Sequence, residues 1–185
     1  MATSDALTTE EMNNSSKYQV GACSCSKCAS ACRRPGWFLP SQIAPLAKAL
    51  GLTVQELFDK HLAVDWWVDS PDVFVLAPRL KGEKGGEMYP PNPEGGCHWF
   101  KNGKCAIHSE GKPYECQQLG HGSGDEMIHA EHSKVADAWR AKKHQRMIER
   151  LLGEPPETPQ DEGFGDGPEG LRRAAAAWNR RHSNG

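Results

Sequence analysis

The sequence predicts a small, irregular α+β domain in which a helical hairpin and short β-hairpins surround a cysteine site, followed by a long C-terminal helix. Three observations lead there. Two helix-start signals follow one another between residues 40 and 62. Two β-hairpin patterns come next, with no alternating strand–helix repeat. A last amphipathic stretch then runs from Ser123 to Gly153.

The first helix is signalled by Ser41 as N-cap after Pro40, with Ile43, Leu46, Ala47 and Leu50 spaced for one face and Gly51 as the stop. Pro45 is tolerated because it falls near the first turn. Thr53 and Glu56 then form a capping box ahead of Leu57, Phe58 and Leu62. Two helices joined by so short a turn make an αα-hairpin.

Val64–Val68 and Val73–Ala77 are β-favouring runs on either side of Asp69-Ser70-Pro71-Asp72, which predicts a first β-hairpin. Residues 78–96 read as a loop. The pair Asn102-Gly103 between CHWFK and KCAIH is the strongest two-residue hairpin signal in the chain. Ser123 and Glu126 form another capping box. The helix they open is expected to reach Leu152, with Ile128, Val135, Trp139, Ile148 and Leu152 inward.

Composition divides the chain into four parts. Residues 1–20 form a polar leader, expected to be disordered and lacking the basic and apolar regions of a secretory signal. Residues 21–152 hold all seven cysteines. Residues 153–170, with four prolines, six acids and no Lys or Arg, read as an acidic linker. Residues 171–185 form a basic tail that places Leu171, Ala174, Ala175 and Trp178 on one helical face among arginines. The tail reads as a frayed or self-packed helix, or else as a dock for a protein partner. A formal net charge of −2 argues against a nucleic-acid binder, and no run approaches the roughly 18 apolar residues of a membrane span. These features predict a cytoplasmic protein.

The cysteines fall into two groups. Cys25, Cys28 and Cys32 form C-x2-C-x3-C, in which one tight turn can bring two sulfurs to a single ion. Cys97 and Cys105 flank the Asn102-Gly103 turn, which predicts neighbouring sulfurs, and Cys116 follows a loop containing Pro113. An odd total of seven and the absence of a signal peptide weigh against a disulfide framework. Thiolates select zinc, iron–sulfur clusters or copper(I) over hard cations. Bridging the 64 residues between the groups costs roughly 4 kcal/mol beyond a constant, against the 10–16 kcal/mol or so that structural zinc supplies. One shared site is therefore affordable.

The run Cys25–Cys28–Cys32, the helical hairpin, and CHWFKNGKCAIHSEGKPYEC from Cys97 to Cys116 resemble the YkgJ-like family over about residues 23–121. That family is described as a zinc- or iron-chelating cysteine-cluster domain. The resemblance implies metal ligation by Cys25, Cys28, Cys32, Cys97, Cys105 and Cys116, without defining an activity. Ala31 stands where the family has the first cysteine of a CC pair, and Cys23, two residues before Cys25, is a candidate to replace it. Lys112 and Gln117 replace arginines of the family pattern.

Six or seven thiolates exceed one closed tetrahedral shell, so two metals, spare cysteines or an iron–sulfur cluster all remain open. His98, His108 and His121 are candidate imidazole ligands beside the cysteines; the plainer reading of His98 and His108 is as strand residues facing water. Glu126, His129 and His132 have neither a full di-iron motif nor HExxH spacing, and read as a polar helix face. The leading function is thus a metal-binding protein with a structural, storage or redox role. The alternatives are a metal-dependent enzyme with an open coordination position, and an interaction platform using the tail.

Overall fold

The computed structural model describes residues 35–67, 70–89, 96–102, 104–119, 123–153 and 155–156. The expected leader over 1–20 and tail over 171–185 lie outside these residues, as do 154 and 157–170 of the expected linker. The described elements mix helix and antiparallel strand, as the α+β expectation requires.

Helices α1 (Pro40–Ala49) and α2 (Val54–His61) form the predicted helical pair. The start of α1 is Leu39 rather than Ser41: Pro40 occupies the first turn and Gln42 Oε1 accepts from Leu39 N–H at 2.9 Å. Ile43, Leu46 and Ala47 are buried. Gly51, at φ +68°, turns the chain in the left-handed region that other residues disfavour. The Thr53–Glu56 capping box forms in both directions, at 3.1 and 2.9 Å.

Strands β1 (Leu62–Trp67) and β2 (Ser70–Pro78) pair antiparallel, with a register irregularity between Trp66 and Trp67. Residues 73–78 are all buried. This accounts for the near-continuous apolar run VFVLA, since a strand covered on both faces does not alternate. Helix α2 packs on β1, and helices α5 (Asp125–Trp139) and α6 (Lys142–Leu152) pack on β2. Both strand edges are covered. On β1, Val64 N–H bonds Glu87 O at 2.9 Å and Val64 O accepts from Tyr89 N–H at 2.8 Å. On β2, Leu76 O accepts from Phe38 N–H at 3.0 Å, while the Gln145 amide bonds both Phe74 N–H and Phe74 O. The expected loop over 78–96 thus contributes a short parallel bridge at Met88 and buries Leu80, Met88 and Tyr89.

The single C-terminal helix is corrected to two. It starts after Gly124 with no side-chain cap, and breaks at Arg140-Ala141, where Ala141 adopts ψ 130°. The break is satisfied by side chains: His144 Nδ1 meets Ala138 O at 2.8 Å, and Gln145 Nε2 donates to Trp139 O at 2.7 Å. Val135, Trp139 and Ile148 are buried as expected, whereas Ile128 and Leu152 are half-buried. Trp139 is fully buried and donates from Nε1 to Phe38 O at 2.7 Å.

The Asn102-Gly103 hairpin forms as β3 (Phe100–Lys101) and β4 (Lys104–Cys105), with Asn102 at φ 50°. Two short helices, α3 (His108–Gly111) and α4 (Tyr114–Gln118), then follow in place of the expected strand and loop.

Candidate metal centre

The best-defined cysteine is Cys116, on α4. Just N-terminal to α1, the chain passes so close to α4 that consecutive backbone groups pair with consecutive α4 residues. Gly36 N–H donates to Cys116 Sγ at 3.2 Å, and Trp37 N–H donates to Glu115 Oε2 at 2.8 Å. Glu115 N–H returns a bond to Trp37 O at 3.3 Å. Only glycine fits at residue 36: a Cβ there would lie 2.7 Å from Glu115 Cβ and 3.0 Å from Cys116 Sγ.

Behind Cys116 is a buried polar network. Glu115 is fully buried, and its Oε1 lies 2.8 Å from His132 Nδ1, an ion-pair distance without in-line hydrogen-bond geometry. The His132 imidazole stacks on Trp37 with centroids 4.5 Å apart, and Trp37 Nε1 donates to buried Asp65 Oδ2 at 2.7 Å. Lys134 donates to the Tyr114 hydroxyl and lies over its ring, joining α4 to α5 a second time. Burial pushes the Tyr114 hydroxyl above its ordinary pKa, and that hydrogen bond raises Lys134. His132 is therefore not part of a solvated polar face, as the sequence reading had it. Glu126 and His129 are exposed.

Cys97 and Cys105 are arranged differently from the expectation. In the hairpin register Cys105 faces Phe100, whereas Cys97 precedes the hairpin and bridges to Leu80. The reason is the turn itself. Pairing about Asn102-Gly103 puts residue 100 opposite 105, and Cys97 is drawn off to an isolated bridge with Leu80, beyond the end of β2. Cys97 is buried and Cys105 half-buried.

His98 is also buried, not a strand residue facing water; it stacks on His61 with centroids 5.1 Å apart and lies tilted against Trp99 at 4.5 Å. Burial first, then the Arg79 guanidinium, pushes His98 down to about 3 and lowers His61. His108 is exposed at the start of α3.

Cys25, Cys28 and Cys32 lie outside the described residues, as do Cys23 and His121. Among the described residues, no group of three or more Cys, His, Asp or Glu side chains is placed to hold a metal ion. Cys97, Cys105 and Cys116 therefore form no three-ligand site by themselves. Among those residues, too, no helix is long and apolar enough to cross a membrane. Comparison with protein-family models, curated proteins and solved structures finds no match.

The sequence reading passed over Trp37, Asp65, Glu115 and the inward position of His132. One signal for His132 was present: it shares a helical stripe, at spacings of three, four and seven, with Val135, Ala136 and Trp139.

Proposed function

We propose that this chain is a cytoplasmic metal-binding module that holds zinc or iron through cysteine thiolates. The observation that carries the reading is the Gly36 N–H···Sγ Cys116 bond. Gly36 stands four residues after Cys32, and four residues span at most about 14 Å. Cys32 is thus tethered within reach of Cys116, although 83 residues separate the two in sequence. A backbone N–H aimed at sulfur favours the thiolate over the thiol, as metal ligation requires. The buried Glu115–His132–Trp37–Asp65 network holds α4 from behind, the role outer groups play around metal ligands. The resemblance of the cysteine spacing to a chelating family agrees with this reading.

The ligands are Cys25, Cys28, Cys32, Cys97, Cys105 and Cys116, and the metal's role is structural, storage or redox. The experiment is anaerobic purification of the full chain with metal analysis and a visible spectrum. Stoichiometric zinc in a colourless protein, or iron with charge-transfer bands, is the expected result. Cys28→Ser and Cys105→Ser are each expected to lower occupancy; a well-folded, metal-free wild type would end the proposal.

A further inference from the structure

We propose that the open cleft between residues 79–82 and the β3–β4 hairpin binds the phosphate group of a small organic molecule. The cleft has a volume of about 500 Å³ and is lined by Arg79, Lys81, His98, Phe100 and Lys101. It brings three fixed positive charges together, and no carboxylate lines it among the described residues. A metal cation is repelled by such a wall, whereas an anion is drawn in.

Two of the cations are held in place. Arg79 donates from Nε to Lys60 O at 2.8 Å and from Nη1 to Leu80 O and Glu83 O, which anchors the guanidinium by one edge. Lys81 Nζ lies 5.6 Å above the centre of the Phe100 ring.

The second observation is His98. The residue is more than nine-tenths buried, it lines the cleft, and its Nε2 has no hydrogen-bond partner among the described residues. This nitrogen is closed off from solvent, so it has a bonding position to offer an incoming group once the ring turns toward the cleft. A phosphomonoester suits the whole set. It carries acceptor oxygens for the cations, and near neutral pH it is partly protonated, so it can meet Nε2 with an oxygen or with an O–H. The cleft is open to solvent on its outer side, which leaves room for an organic group beyond the phosphate. The inference does not depend on the proposed metal, since none of these groups is a thiolate.

The test is titration of the full chain with inorganic phosphate and with glycerol 3-phosphate at constant ionic strength, read by calorimetry and by the His98 ring resonances. Acetate serves as the control anion. Saturable binding is expected, at least as tight for the ester as for phosphate, with the His98 ring shifting. Lys81→Gln and Lys101→Gln, both at exposed positions, are each expected to weaken it about tenfold. Absence of saturable binding overturns the proposal. So does binding of inorganic phosphate without the ester, or affinity unchanged in both variants.

Discussion

The β1–β2 hairpin and the segment carrying Cys97, Cys105 and Cys116 are both tied into the chain by hydrogen bonds, yet they are stabilised in different ways. The hairpin is buried on both faces, and its edges are closed by Phe38, Gln145 and residues 87–89. The cysteine-bearing segment has two-residue strands and helices of four and five residues. Elements that short have almost no intrinsic stability. They are positioned by the buried side chains of Trp99, Ile107 and Tyr114 and by polar contacts: Gly36 and Trp37 N–H on Cys116 and Glu115, and the Gln42 side chain on Tyr114 N–H and Lys112 O. The difference teaches that the hairpin rests on apolar burial, whereas the cysteine-bearing segment adds polar ties to its buried Trp99, Ile107 and Tyr114, and is the half that the proposed metal would cross-link. Thiolate-bound metal is the cross-link we assign to it.

The comparison can be broken most forcefully at Trp139. Trp139→Ala removes the largest fully buried side chain and its bond to Phe38 O. It is expected to cost about 3–5 kcal/mol in chemical unfolding whether or not metal is bound. A loss seen only in metal-loaded protein would erase the distinction between the halves.

Gly36→Ala acts on the other half. The added Cβ meets Glu115 Cβ at 2.7 Å. The expected loss is about 1–3 kcal/mol, accompanied by reduced metal content, because Cys116 moves. Full metal retention in a destabilised Gly36→Ala protein would separate Cys116 from the metal.

A third test sharpens the boundary between the halves, where His98 packs on His61 at the end of α2. The folded His98 pKa is near 3 against an ordinary value of 6.5, chiefly through burial. Below pH 6.5 the unfolded chain takes up a proton that the folded ring refuses. Stability should therefore fall between pH 6.5 and about 3, at up to roughly 1.4 kcal/mol per pH unit from this group. Urea unfolding of wild type and His98→Gln at pH 7 and 5 measures it. The substitution should flatten the slope, and parallel slopes would show that His98 is charged in the fold.

Much of the fold was legible where its signals are local. Thr53 and Glu56 cap α2 within four residues, and Asn102 reaches the positive φ its turn needs without help from elsewhere. What was not legible depends on distant partners. The break at Arg140-Ala141 exists because Gln145 finds Phe74, 71 residues away in sequence. Glu115 tolerates full burial because Trp37 supplies a donor 78 residues away. Cys97 departs from the expected pairing because Leu80 claims it. In the site itself, spacing identified Cys116 as a ligand candidate. The glycine that lets the chain approach Cys116 becomes recognisable only when the two segments are seen together.

The account turns on whether metal holds the cysteine-bearing half. Native-state hydrogen exchange on the full chain, metal-loaded and after chelation, addresses this residue by residue. Chelation is expected to lower protection of the Gly36, Trp37 and Glu115 amides by at least about tenfold, while the Val75 and Leu76 amides of β2 keep theirs. Equal protection of all five amides in the two states would contradict it.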